Sequence, residues 1–254
     1  MAKLKRITDE IKNLNNFKRN GFLVIKDVFT KNEIKFILDS IQLYIAKEGD
    51  KLNIKNINLV NNKINSLHSL KKSKALLRFA NKNKIKKISR FFLNSDAKVN
   101  AIELFAKPAF VGYASPIHQD NAYWCLKDPN GITMWIALSK ANASNGGIFY
   151  YPGSHKGGDY PHEPSYIKGS SQKVKKNTLK KFSKIKTVTP SLKPGDIVIH
   201  DSRTLHGSGK NNSKFSRKGM TIQLFDKNSR VNIPMRKKYL SSLSNQLKQR
   251  ISIK

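Results

Sequence analysis

His118-Gln119-Asp120, with a second histidine, His206, far downstream, is the part of this chain whose residue types and spacing can do chemistry. Side chains alternate along a strand, so a histidine and a carboxylate two residues apart share a face if the segment is extended. A remote histidine then completes three protein ligands on one side of a metal. Two neutral imidazoles and one carboxylate, with the remaining positions open, are the donor set of non-haem Fe(II) oxygenases. An isolated His-x-Asp arises often by chance, and three features set this one apart. The aromatics Tyr123 and Trp124 follow the pair, as pocket-lining residues would, and Tyr160 is a further candidate of this kind. His206 comes after the turn Pro194-Gly195-Asp196 and a short apolar strand, 197–200, which returns the chain to a sheet. Arg217 lies eleven residues beyond His206, at the head of another apolar strand.

The arginine has a chemical reason to be there. An oxygenase with three protein ligands needs an electron source, and 2-oxoglutarate chelates iron through its keto acid end. Its far carboxylate then needs a fixed planar cation, which a guanidinium supplies through a bidentate pair. The Ser208 hydroxyl can complete that carboxylate's hydrogen bonds. Taken alone, Arg217 in so basic a chain reads as a loop cap. Beside the triad it reads as an anion clamp.

The elements that must position these residues change character along the chain. Residues 21–25 are short, apolar and β-branched, which predicts a buried strand. Thr30 and Glu33 have capping-box spacing, and Ile34, Ile37, Leu38, Ile41 and Ile45 recur at helical spacing, predicting a helix over 31–47. Segments 67–79 and 84–93 read as two more amphipathic helices, while the Asn-rich stretch 50–65 carries no clear pattern. Strands are predicted at 99–107, 117–124, 132–138, 147–151, 197–200 and 220–225. Helices followed by many short strands predict an α+β fold whose strands form a sandwich or barrel. Segment 156–186 is too long and lysine-rich for an ordinary connection and reads as a functional lid or as disordered. Residues 241–253 of the basic tail form a terminal helix or stay solvated.

Composition bounds the remaining classes. The 254 residues suffice for one large domain with a sizeable core. No apolar run of about 18 residues is present, so no membrane span is expected, and the basic start lacks the apolar stretch of a secretion signal. A single cysteine, Cys125, fits a reducing cytoplasm. The formal charge of +33, from 49 Lys+Arg against 16 Asp+Glu, raises nucleic acid or anionic partners. Lys, Asn and Ile are abundant together, as AT-rich codons would give, and the lysines are spread evenly. A nucleic-acid partner is therefore disfavoured, and an anionic small-molecule substrate is the better reading. The oligomeric state stays open.

The chain resembles the phytanoyl-CoA dioxygenase family of Fe(II)/2-oxoglutarate oxygenases. The resemblance starts at 20–29, continues through His118-Gln119-Asp120, 134–138 and the 145–155 run ending Pro152-Gly153-Ser154-His155, and closes with 193–196, His206-Gly207-Ser208 and Arg217. It implies an α+β fold with a double-stranded β-helix (jelly-roll, cupin-like) core and flanking N-terminal helices. Helices and a strand would occupy about 1–98, the β-helix about 99–226 with the lid near 156–186, and a basic C-terminal segment about 227–254. By resemblance, His118, Asp120 and His206 are the iron ligands. Arg217 and Ser208 clamp 2-oxoglutarate, Trp135 lines the co-substrate pocket, and Lys107 is a cofactor or substrate contact. Halogenases of this kind replace the carboxylate with a small residue, so Asp120 points to hydroxylation. The expected activity is O2-dependent hydroxylation of an unactivated carbon in a small or acyl-type substrate. A metal- or anion-binding β-helix protein without turnover, and a basic nucleic-acid binder, are the alternatives.

Overall fold

The structure, a computed structural model, describes residues 12–252. The basic start of the chain lies outside the described residues. Residues 12–20 are helical (α1) and lead through Gly21 into β1 (Phe22–Ile25) and α2 (Lys31–Glu48). Then come β2 (Ile57–Val60), β3 (Lys63–Leu67), α3 (Lys74–Ala80), α4 (Asn83–Leu93), β4 (Ala97–Lys107) and β5 (Ser115–His118). A single helical turn, α5 (Asn121–Trp124), precedes β6 (Gly131–Ala137) and β7 (Ile148–Tyr150). The chain continues with β8 (His162–Ile167), β9 (Ser170–Val174), α6 (Lys176–Leu179), β10 (Ile197–Asp201), β11 (His206–Ser208), β12 (Arg217–Asp226) and α7 (Ile233–Ser252).

Seven strands form one antiparallel sheet in the order β1-β10-β6-β12-β4-β3-β2. Period-2 alternation gives this sheet two chemically different faces. Ile132, Met134 and Ile136 of β6, Ile197 and Ile199 of β10, and Met220, Ile222 and Leu224 of β12 point outward into the main core. There they meet the buried faces of α2, α3 and α4, through residues such as Ile37, Phe79 and Ile85. The capping box expected for α2 is formed: the Thr30 hydroxyl accepts from Glu33 N at 3.2 Å and Glu33 accepts from Thr30 N at 2.9 Å. The opposite, inner face carries Thr133, Trp135, His200, Thr221 and Arg217. A three-stranded antiparallel sheet, β5-β11-β7, covers it. Tyr150 of β7 joins the inner-face residues Phe22, Trp135 and Val198 in a second cluster.

The structure corrects several sequence expectations. Segment 67–79 is not one helix: β3 runs to Leu67, a 3₁₀ turn spans Leu70–Lys72, and α3 starts after Ser73, whose hydroxyl caps Leu76 N. The unreadable stretch 50–65 contains the β2–β3 hairpin. Asn61 and Asn62 both have positive φ, 47° and 56°, as a type I′ turn requires. Segment 117–124 is extended only to His118, after which Asp120 takes helical angles (φ −61°, ψ −34°) and opens α5. The Asn121 side chain accepts from Leu126 N at 2.9 Å and locks that turn. Segment 156–186 is built of regular structure: the β8–β9 hairpin, which turns at Gly169 (φ +83°), then α6. The tail helix starts at Ile233, earlier than expected, and its buried Gln246 bonds Ser171 O and Tyr166 N of the hairpin.

Candidate active site

His118 ends β5 and His206 begins β11, and the two are direct antiparallel partners with ring centroids 4.3 Å apart. In each ring Nδ1 donates to the carbonyl two residues earlier, Pro116 O at 2.8 Å and Thr204 O at 2.9 Å. That hydrogen bond fixes the tautomer and leaves an Nε2 lone pair free. Both Nε2 atoms lie 3.7 Å from Asp120 Oδ1, and one ligand atom from each of the three residues falls within 4.8 Å of the others. His118 and Asp120 converge through the α5 turn, not through strand alternation.

The electrostatics suit a cation. Burial pulls His118 and His206 below the usual imidazole range and keeps them neutral, as metal ligands must be. Burial pushes the Asp120 carboxyl up, but His206, His200 and His118 around it outweigh that and hold it well below the usual carboxylate range. Two neutral imidazoles and a carboxylate therefore fit a ferrous ion. Asp120 Oδ2 is occupied otherwise: Thr133 Oγ1 donates to it at 2.5 Å, and His200 Nε2 lies 3.0 Å away. The hydroxyl of buried Tyr150 lies 3.2 Å from His200 Nδ1. Sequence reasoning passed over His200 and Thr133 as ordinary strand residues. A signal was present, since alternation from Val198 puts His200 on the inner face of an otherwise apolar strand.

A second charged cluster lies further along the same face. Arg217 opens β12 opposite Lys107, the last residue of β4, and the two are 2% and 3% exposed. The guanidinium lies over the Trp135 ring at 5.5 Å and donates to Gly146 O (2.7 and 3.2 Å) and Phe105 O (3.1 Å). Lys107 Nζ donates to Ser208 O at 3.4 Å and to Gly209 O. Burial, then the neighbouring Arg217 charge, lowers the Lys107 amine to about 6. Among the described residues neither Arg217 nor Lys107 has a carboxylate partner. Ser208 is buried beside them. Trp135 and Thr221 are paired across β6 and β12, between Thr133 and Arg217, and their Nε1 and Oγ1 atoms are buried without partners. The Trp135 ring spreads over β12 because residue 219 is glycine; a Cβ there would sit 1.9 Å from the ring. A buried guanidinium, a buried amine ready to take up a proton and two orphaned donors fit an anionic ligand on this face.

All seven residues expected at the site thus gather on or against this face. The expected pocket aromatics separate. Tyr123 stands edge-on to His118 at 5.3 Å, with its hydroxyl bonded to Ser170 and Gln172 of the hairpin. Trp124 packs on Phe225, and Tyr160 packs on Phe182 with its hydroxyl on Ser154 O. Pro152-Gly153-Ser154-His155 forms a structural turn: the Ser154 hydroxyl accepts from Leu205 N at 2.9 Å, next to His206. Gln119, between the two motif ligands, ties the loop to the root of the 156–186 segment through Gly158 O (2.8 Å) and Tyr160 N (2.7 Å).

Comparison with known proteins agrees with this geometry. The family model described as phytanoyl-CoA dioxygenase matches residues 17–219. Relatives include ectoine dioxygenase of Sphingopyxis alaskensis, 25% identical over 219 residues, covering 79% of this chain and 71% of that protein. Peroxisomal phytanoyl-CoA dioxygenase of Bos taurus is 24% identical over 227 residues, covering 84% and 67%. Among solved structures, EctD from S. alaskensis with 2-oxoglutarate and 5-hydroxyectoine superposes with a TM-score of 0.73 at 22% identity, over 87% of this chain and 77% of that one. The non-heme alpha ketoglutarate dependent epimerase SnoN from nogalamycin biosynthesis gives 0.70 at 18% identity, over 86% and 84%. The sheets described above are accordingly a double-stranded β-helix. This chain belongs to the phytanoyl-CoA dioxygenase family of Fe(II)- and 2-oxoglutarate-dependent dioxygenases.

Proposed function

We propose that His118, Asp120 and His206 hold Fe(II), that Arg217 and Ser208 hold the distal carboxylate of 2-oxoglutarate, and that the enzyme uses O2 to hydroxylate an unactivated carbon of a small or acyl-type substrate, anionic ones included. The observation that carries this reading is the placement of a triad able to hold a metal, a buried Arg217 with no carboxylate partner among the described residues and the buried Lys107 amine against one face of the sheet. When bound, Fe(II) with 2-oxoglutarate supplies oxidising power at the expense of the keto acid, which leaves as succinate and CO2.

The chain's own residues orient and shield. Arg217, fixed by Gly146 O and Phe105 O and backed by the Trp135 ring, presents its remaining N–H groups without needing to reorganise. Lys107 gains its proton when an anion enters, which strengthens the clamp. Trp135 Nε1 supplies a donor toward the same ligand. The β8–β9 hairpin, held from outside by α7, excludes water above Tyr123 and serves as the lid. The whole chain acts as one dioxygenase domain. No helix among the described residues is long and apolar enough to cross a membrane. The buried free Cys125 supports a reducing compartment such as the cytoplasm. The charge of +33 is read as compositional and not as a nucleic-acid footprint.

The test is succinate formation from 2-oxoglutarate by the purified protein with ferrous iron and O2, with and without a broad panel of small substrates. Succinate that requires both iron and O2 is expected. Absence of succinate under every condition would contradict turnover and favour a non-catalytic binding protein.

A further inference from the structure

A carboxylate offers two oxygens, and a ligand free to swing can present either one, or both, to a metal. Asp120 is not free to swing. Its Oδ2 receives the Thr133 hydroxyl at 2.5 Å and lies 3.0 Å from His200 Nε2, while Oδ1 faces the free Nε2 atoms of His118 and His206 at 3.7 Å each. A carboxylate oxygen only accepts, so His200 Nε2 must carry the proton. Nδ1 of the same ring then accepts, and the Tyr150 hydroxyl at 3.2 Å is the donor that meets it. Tyr150 is itself packed against Phe22 at 4.5 Å, on a strand different from those of His200 and Thr133. His200 is 1% exposed and Thr133 3%, so both donors are shielded from solvent. The two are direct cross-strand partners, which sets both donors at one height above the sheet.

We propose that His200, held in this tautomer by Tyr150 and assisted by Thr133, is a positioning residue that pins Asp120 Oδ2 and reserves Oδ1 as the single oxygen offered to the metal. The inference rests on the metal reading of the triad given above. It adds a layer of residues behind the ligands, and such layers typically govern metal affinity by about 10- to 100-fold. A third histidine beside the triad thereby acts through its N–H and not as a ligand.

Equilibrium titration of the metal-free protein with Co(II), read by visible absorption, tests this without any turnover. His200→Leu removes the donor at similar bulk and is expected to weaken Co(II) binding about 10- to 100-fold. His200→Gln can place an amide N–H where Nε2 stands and is expected to restore affinity to within about threefold of the original, a rescue that lost packing alone would not give. Leu at position 200 binding Co(II) as tightly as the unaltered protein, or Gln binding as weakly as Leu, overturns the proposal. Should His200→Leu fail to fold, Thr133→Val and Tyr150→Phe remove the other two links. Weakened binding in both supports the chain of bonds, and unchanged binding in both overturns it. Failure of the unaltered protein to bind Co(II) at all would instead sink the metal reading, and this inference with it.

Discussion

The two faces of the seven-stranded sheet use the same strands for opposite ends. On the outer face, Met220, Ile222 and Leu224 of β12 meet helices in an apolar core, where tight packing without polar atoms gives stability. On the inner face, Arg217 and Thr221 of that strand are buried as deeply but leave charge and a hydroxyl uncompensated. One face is optimised for the folded chain alone. The other is costly until a ligand arrives, and that cost is what lets it bind an anion and a cation tightly. The difference teaches where mutation should separate activity from stability.

The largest expected effect is at the inner face. His206→Ala removes a ligand and should cut iron-dependent succinate formation by at least ~10³-fold, as losing several kcal/mol of metal-derived stabilisation implies. The far-ultraviolet circular dichroism should be retained. Arg217→Met should raise the KM for 2-oxoglutarate by roughly 30-fold or more, since truncating one partner of a buried charge pair costs about 2–5 kcal/mol. The same change should leave the ligand-free protein no less stable, because it deletes an unpaired buried cation. Steady-state kinetics beside thermal melts check both halves.

Ile222→Ala on the outer face should do the reverse. It should destabilise by about 2–5 kcal/mol in denaturant titration while kcat/KM well below the melting temperature stays close to the original. An inner-face phenotype from Ile222→Ala would break the two-face account.

The finest expected effect is a pH dependence. The Lys107 amine is held at about 6 when folded, against an ordinary value of 10.5. Between those values the unfolded chain binds more protons, so this group makes stability rise with pH from about 6 to 10.5 and contributes no slope below 6. Without ligand, Lys107→Met should therefore be more stable than the original protein, by most near pH 6 and by progressively less at higher pH. Melts across that range check the sign.

Much of this was legible in the chain itself. The strands β6, β10 and β12 and the capping box of α2 come from local pattern, and the structure keeps them. The ordered run of His118, Asp120, His206, Ser208 and Arg217 was legible from its order and spacing, from the donor chemistry a metal and a carboxylate need, and from the family resemblance. What failed were places where a side chain redirects the backbone: Asn121 converting an extended reading of 117–124 into a turn, and Ser73 restarting a helix after β3. His200 was missed for another reason. A histidine near the end of an apolar strand marks the inner face but not the carboxylate it meets there, eighty residues away in sequence.

Anaerobic calorimetry of 2-oxoglutarate binding, with and without Fe(II), tests the central claim most directly. The account predicts one site per chain that needs the metal, with binding lost in Asp120→Ala and strongly weakened in Arg217→Met. Binding that ignores both the metal and these two substitutions would contradict it.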